Sequence, residues 1–156
     1  MTAKGITSIA GHELGHAIIT TLNGGDVVKV VLQDAATGLT DYLIDKDADP
    51  MISFKIALAG YAGQCLTEGI KATVDGFFAY EGCFYDRGDA FEALLDAHEN
   101  PETFMNEKAQ GVFDELTATL EGNKKLFDEA VKQLRLKRTM PGMRFKALVA
   151  KHGLKA

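Results

Sequence analysis

Cysteine is scarce in this sequence, and long apolar runs are missing from it. The two cysteines, Cys65 and Cys83, do not have the spacing of a metal-binding pair, so we expect no disulfide framework and a reducing, cytoplasmic location. No apolar stretch reaches the roughly 20 residues that span a bilayer. The opening segment, "MTAKGITSIAGHE", does not have the pattern of a signal peptide. We therefore expect no membrane anchor.

Positive charge is also sparse. The formal net charge is -5, and Lys and Arg are concentrated only in "KQLRLKR", a run that suits the C-terminal end of a helix. This distribution argues against a nucleic-acid-binding protein. The sequence has no Gly-rich GK[ST] motif, so we expect no ATP to be bound by this chain.

The length and composition suit one globular domain over residues 1–156, because 46% of the residues are hydrophobic and 25% are charged. Apolar periodicity predicts a mainly α fold with one small β-hairpin. The segment 69–89 is aromatic and is expected to be irregular. Helices are expected over 5–22, 51–68, 90–98, 102–120, 124–138 and 143–153, and the hairpin strands over 27–33 and 39–44.

The stretch "HELGH" at residues 12–16 carries the chemistry. His12 and His16 are four residues apart, so on a helix both imidazoles reach from one face to one zinc ion, at about 2.0–2.1 Å. Glu13 flanks the metal without binding it, where it can activate a zinc-bound water and pass the proton to the leaving amine. Two satisfied core histidines are the alternative, but burying them on an apolar helix without a partner is costly.

Two histidines do not complete a catalytic zinc site, which normally has three protein ligands and an open position. The elongated metzincin motif requires a glycine and a third histidine where this chain has Ile19 and Leu22, so that class is excluded. A glutamate from a following helix is another possibility. Glu68 is the first candidate of this kind, and Glu81 is the second.

Several blocks in order resemble the peptidase domain of the FtsH-type ATP-dependent zinc proteases. "HELGHA" is similar to the family's HEAGHA, and "VVKVVLQDAATGLTDYLI" is similar to the hairpin that follows it. "AGYAGQCLTEG" resembles the family's GGRAAEELIFG, and "NKKLFDEAVKQLRLKRTMPG" resembles its C-terminal helix. The resemblance extends over nearly the whole chain and implies a zinc metalloendopeptidase that cuts polypeptides.

The resemblance also implies that the third zinc ligand is an aspartate at the start of the helix after the irregular segment. The family pattern is roughly G-x-x-x-D-x-x-x-A-x-x-x-A, and two residues compete for this place. Asp89 precedes Ala93 and Ala97 at the right offsets, whereas Asp86 lies between Gly82 and Ala90. Asp89 is preferred, because Asp86 would then cap the helix and Asp89 would fall in its first turn. As a ligand, Asp86 would have Gly88 inside its own first turn.

This sequence departs from the family in two ways. Gln64 and Cys65 stand where the family has paired acidic residues, which leaves less charge to orient the histidines, and Cys65 is expected to be a small buried residue. The family's membrane anchor and ATPase module are not recognisable either. We therefore expect substrates to be peptides or unfolded polypeptides, with self-association or a separate unfoldase as possible partnerships. A metal-binding or interaction protein that keeps the fold without catalysis, or a zinc hydrolase of small amides, would be the alternatives.

Overall fold

The computed structural model describes residues 3–34 and 36–156. Within them the chain forms eight α-helices and three β-strands, with a 3-10 turn at Glu81–Cys83. In chain order these are α1 (Ala3–Leu22), β1 (Asp26–Leu32), β2 (Gly38–Leu43), α2 (Pro50–Glu68), α3 (Val74–Ala79), α4 (Phe84–Asp96), α5 (Pro101–Glu107), α6 (Ala109–Gly122), α7 (Lys124–Lys137), β3 (Thr139–Pro141) and α8 (Gly142–His152). The predicted fold class, mainly α with a minor β component, is confirmed.

The sheet is antiparallel and has the order β2-β1-β3, so β2 and β3 are its edges among the described strands. The predicted hairpin pairs Val30 with Thr40 and Leu32 with Gly38. The third strand was not predicted, and the expectation of one hairpin alone was therefore wrong. In β3, Met140 pairs with Val30 of β1. Such a short strand is specified by this distant pairing and has no periodicity of its own.

Helices α1 and α2 cross at a close distance because glycines line their contact. A Cβ atom on Gly11 would lie 2.9 Å from the carbonyl oxygen of Gly63, and one on Gly15 would lie 3.3 Å from the Cα atom of Gly63. The first separation is too short for a larger side chain and the second is tighter than an ordinary van der Waals contact, which confirms that the small residues of α2 allow a close backbone approach. The crossing brings the histidine-bearing face of α1 against the middle of α2.

The prediction that segment 69–89 is irregular was wrong. Thr73 caps α3, since its hydroxyl accepts a hydrogen bond from the amide of Gly76, and α4 begins at Phe84 rather than near Ala90. Arg87 joins the two helices by donating to the carbonyl oxygens of Phe77 and Tyr80, at 2.8 and 2.7 Å. The apolar periodicity of α4 was obscured in the sequence because Phe84 and Tyr85, in its first turn, are exposed.

The long helix expected over 102–120 is divided into α5 and α6, with Lys108 between them in a non-helical conformation. Asn100 caps α5 through its side-chain oxygen, which accepts from the amide of Thr103 at 2.9 Å. Within the described part of the chain, none of the helices has both the length and the hydrophobicity needed to cross a membrane.

Candidate metal centre

His12 and His16 lie one turn apart on α1, and both rings face α2 and α4. The ring centroids are 4.8 Å apart and the rings meet edge to face. His16 is 7% exposed, and the helix around the two histidines is anchored by the fully buried side chains of Ala10, Leu14 and Ala17. The apolar face of α1 therefore fixes where the two imidazoles can reach.

Hydrogen bonds from α2 orient both imidazoles. His16 Nδ1 lies 2.7 Å from the carbonyl oxygen of Ile56, and His12 Nδ1 lies 3.2 Å from Oε1 of Gln64. Because these oxygens only accept, each Nδ1 carries a proton and donates it. Each neutral imidazole then presents the lone pair of Nε2 on its other side, which is the form of histidine that binds a metal.

Asp86, in the first turn of α4, brings a carboxylate to these two nitrogens. Its Oδ2 atom lies 2.8 Å from His12 Nε2 and 3.3 Å from His16 Nε2. The Asp86 side chain is only 15% exposed. Helix α1 thus provides two imidazole nitrogens, α4 provides one carboxylate oxygen, and hydrogen bonds from α2 direct the imidazoles to the same point.

Asp89, the residue preferred from sequence, lies one turn further along α4 and lines the same cavity. Burial raises its pKa, as does the nearby negative charge of Asp86. Among the described residues, Asp89 is not part of a group whose ligand atoms lie within 4.8 Å of one another. The geometry therefore favours Asp86 as the third ligand, and ligation by Asp89 stays an untested prediction.

The preference for Asp89 depended on where α4 begins. Because the helix starts at Phe84, Asp86 is its third residue and holds the first-turn place that the sequence analysis assigned to Asp89. Gly88 does not disturb this arrangement, since it lies within the helix with open space around its Cα.

The other carboxylates considered from sequence lie elsewhere. Glu68 ends α2, and its Oε1 atom accepts a hydrogen bond from Gln64 Nε2 at 3.4 Å. Glu68 therefore contacts Gln64, the residue that orients His12. Glu81 is an exposed residue of the 3-10 turn. Neither belongs to a described group of candidate ligands.

Glu13 is buried beside the histidines, with 5% of its surface exposed. The Thr40 hydroxyl donates to the backbone carbonyl oxygen of Glu13 at 2.8 Å and lies 3.5 Å from its Oε2 atom. Gly38 of β2 permits this packing, because a Cβ atom there would lie 2.6 Å from Cγ of Glu13. Burial raises the pKa of the Glu13 carboxyl, although the two histidines oppose the shift.

The buried charges of the centre are strongly coupled. Burial alone would lower the pKa of His16, but the Asp86 carboxylate raises it to about 9. Burial likewise opposes the ionisation of Asp86, yet the neighbouring His16 and His12 hold its pKa well below the ordinary value. In the absence of a metal, the arrangement is thus a protonated imidazole paired with a carboxylate.

The residues of this centre fit a zinc ion. Two Nε2 lone pairs and a carboxylate oxygen that converge on one point repel one another unless a proton or a cation lies between them. Space for the imidazoles is provided by Gly60, since a Cβ atom there would lie only 2.6 Å from His12 Nε2. Two histidines and one carboxylate are a donor set that zinc accepts.

The centre opens into a cavity of about 460 Å³. Its walls include the edge strand β2, with Gly38, Leu39 and Thr40, and the aromatic residues Tyr80 and Tyr85. Thr40, Gly38 and Gly60 were not predicted to be parts of the site, and Gln64 was interpreted only as a lost carboxylate. Single polar or small residues carry no local pattern that would have revealed these roles.

Residues 3–74 match the model of the family described as Peptidase M50B-like. The matched part is less than half of the chain; it includes α1, the hairpin and α2, and it ends before Asp86. No curated protein matches the chain significantly. The family match supports a metallopeptidase relationship for the segment that carries His12, Glu13 and His16, without pointing to the FtsH-type family in particular.

Proposed function

We propose that this protein is a zinc-dependent metalloendopeptidase that hydrolyses peptide bonds in unfolded or flexible polypeptides. His12, His16 and Asp86 are the metal ligands, and Glu13 is the general base. The observation that carries the proposal is the convergence of His12 Nε2 and His16 Nε2 on Oδ2 of Asp86, at 2.8 and 3.3 Å, beside a buried glutamate. The Peptidase M50B-like match over residues 3–74 supports the same reaction class.

The surrounding residues support catalysis by holding the ligands in place. The carbonyl of Ile56 and the amide of Gln64 each fix one imidazole with its Nε2 directed at the centre. When bound, a zinc ion would supply Lewis-acid chemistry, which acidifies water and polarises a carbonyl group. His12, His16 and Asp86 would provide three protein ligands, which would leave one coordination position open for the reaction.

Glu13 moves the proton. Its carboxylate takes a proton from the attacking water as the new C–O bond forms, and it returns that proton to the amide nitrogen as the C–N bond breaks. Burial raises the pKa of Glu13 above the ordinary value, which brings the acid form closer to neutral pH and favours both transfers. The contact between Thr40 and the Glu13 carbonyl keeps the carboxylate against the cavity.

The position of β2 supports an extended substrate. β2 is an edge strand, and its residues Gly38–Thr40 line the cavity next to Glu13. An extended peptide can add to such an edge through main-chain hydrogen bonds, and an unfolded polypeptide adopts this conformation most readily. The resemblance to FtsH-type peptidase domains agrees with substrates of this kind. We also propose that the protein acts in the cytoplasm, either with a separate unfoldase or as a self-associated assembly.

The experiment compares the wild type with Glu13→Gln, and uses Glu121→Gln, an exposed position on α6, as the matched control. We expect one zinc per chain in all three proteins, and a fall in casein cleavage of about 10²–10⁴-fold in Glu13→Gln alone. Cleavage by Glu13→Gln at the wild-type rate would refute the role of Glu13. Full zinc occupancy without cleavage by any of the three would indicate a metal-binding protein that lacks catalysis.

A further inference from the structure

A thiol lies beside the candidate metal centre. The Sγ atom of Cys83, a ring nitrogen of His12 and a carboxylate oxygen of Asp86 all lie within 4.8 Å of one another. Cys83 forms no disulfide and is fully buried. It is the residue immediately before α4, and it makes no side-chain capping hydrogen bond there.

We propose that Cys83 is a further ligand of this centre, which binds a soft divalent cation together with His12 and Asp86. The inference rests on the centre described under the proposed function, because it shares two residues with it. Thiolates prefer zinc, cadmium and similar soft cations, whereas carboxylates alone would favour harder ions. Cys83 therefore changes which metals the centre selects.

The required movement is small. In a tetrahedral zinc site with Zn–S of about 2.3 Å and Zn–N of about 2.0 Å, sulfur and nitrogen are roughly 3.6 Å apart. The Cys83 sulfur lies within 4.8 Å of the His12 nitrogen, so an approach of at most roughly 1 Å would bring it to this separation. His12 and Asp86 already face each other at 2.8 Å.

Ligation changes the charge of the thiol. Without a cation the thiol is neutral, because burial raises its pKa to about 12 and the adjacent Asp86 carboxylate acts in the same direction. A bound cation reverses this preference: the S–H bond breaks, a metal–sulfur bond forms, and the proton passes to solvent. With His16 also bound, the four protein ligands leave no open position, which corresponds to a closed, resting form of the centre.

The second cysteine provides a matched control. Cys65 is equally buried, on α2, and its thiol interacts with Tyr61. In the described parts of the chain it does not belong to a group of candidate ligands. A serine at either position keeps the size of the side chain, and serine is favoured at the position before a helix that Cys83 occupies.

The experiment loads the full chain with cobalt(II) and records its absorption spectrum for the wild type, Cys83→Ser and Cys65→Ser. We expect visible d–d bands in all three proteins, and a near-ultraviolet thiolate-to-cobalt band that Cys83→Ser alone lacks. We also expect Cys83→Ser to lower cadmium affinity by more than about 10-fold, and by a larger factor than zinc affinity, because cadmium is the softer ion.

Three results would overturn the inference. Visible bands without the thiolate band in the wild type would exclude Cys83 as a ligand while leaving the proposed peptidase centre intact. The lack of any cobalt band in the wild type would refute both the inference and the metal centre. A thiolate band that persists in Cys83→Ser and disappears in Cys65→Ser would identify Cys65 as the ligand and would also contradict the inference.

Discussion

His12 Nε2 lies 2.8 Å from Asp86 Oδ2, although 74 positions of the chain separate the two residues. His12 Nδ1 donates its proton to Gln64, so a neutral His12 has only a lone pair to offer Asp86. The contact between the two atoms therefore requires that they share a proton or a cation. This relationship connects α1, which carries the two histidines, with α4, which carries the proposed third ligand.

Replacing Gly60 by alanine is expected to block the centre. The new Cβ atom would lie 2.6 Å from His12 Nε2 and even closer to the ring of His16, so both imidazoles would have to leave their positions. We expect zinc affinity to fall by at least about 100-fold, on the scale of a lost ligand. The measurement is competition for zinc against a chromogenic chelator.

The matched control is Gly111→Ala on α6, where a Cβ atom would meet nothing within 4 Å. This substitution should leave zinc affinity unchanged and increase the free energy of unfolding by about 0.5–1 kcal/mol, since alanine favours helix. Equal zinc affinities for the two variants would show that Gly60 does not border the metal.

Replacing Gln64 by leucine is expected to weaken zinc binding while the protein remains folded. Leucine cannot accept the Nδ1 proton of His12, so the ring loses the partner that directs its Nε2 atom. Losses of this kind typically reduce metal affinity by about 10–100-fold. Gln64→Glu should retain the affinity, because a carboxylate oxygen accepts the same proton. If leucine and glutamate gave the same affinity, hydrogen bonding by Gln64 would have no role in the centre.

The metal-free protein is expected to lose stability as the pH rises from 6.5 to 9. The pKa of His16 is raised from its ordinary 6.5 to about 9 in the folded protein, so the folded state binds a proton that the unfolded state releases. This contribution is complete below pH 6.5 and disappears as the pH passes 9. Urea unfolding with a chelator present, at pH 6.5, 7.5 and 9, measures the change.

Asp86→Asn is the control for this pH dependence, because the Asp86 carboxylate makes the largest of the contributions that raise the His16 pKa, ahead of Glu13 and the Ile56 carbonyl. His98 and His152 are present in both proteins, so the difference between the two pH profiles isolates the centre. A wild-type free energy of unfolding that stays constant over this range, parallel to that of Asp86→Asn, would contradict the predicted coupling.

Zinc affinity is expected to increase with pH over the same range. Below the His16 pKa of about 9, zinc must displace a proton from that imidazole before it can bind. With His12, His16 and Asp86 as the ligands, the apparent affinity should therefore rise about tenfold per pH unit from pH 7 and level off near pH 9; if Cys83 also binds, the release of its proton adds about a further tenfold per pH unit. Chelator competition at several pH values gives the slope, and an affinity independent of pH would show that His16 is neutral in the metal-free protein.

Local sequence pattern was enough to predict the histidine helix, the hairpin and α2. HELGH lies in a helix with apolar periodicity, and the glycines of α2 correctly indicated a close helix contact. The expectation that Cys65 is a small buried residue is confirmed. These features depend on neighbours in the chain, so they are visible without a structure.

The third ligand could not be chosen in this way. Phe84 and Tyr85 occupy the first turn of α4 and are 65% and 83% exposed. Because these solvent-facing residues are apolar, the sequence of this turn does not show the amphipathic pattern of a helix. The start of α4 was therefore placed too late, and the preference moved from Asp86 to Asp89. The contact of Gln64 with His12 depends on which helix packs against α2 and in which register, and no local pattern specifies these.

In the proposed metal centre, Asp86 completes the ligand set of His12 and His16. The most direct measurement is the zinc dissociation constant of Asp86→Ala beside that of Asp89→Ala, with circular dichroism to verify that both proteins are folded. The structure predicts that Asp86→Ala weakens zinc binding by at least about 100-fold, the scale of a lost ligand, and that Asp89→Ala binds zinc as the wild type does. Loss of zinc in Asp89→Ala with retention in Asp86→Ala would contradict the account and restore the ligand preferred from the sequence.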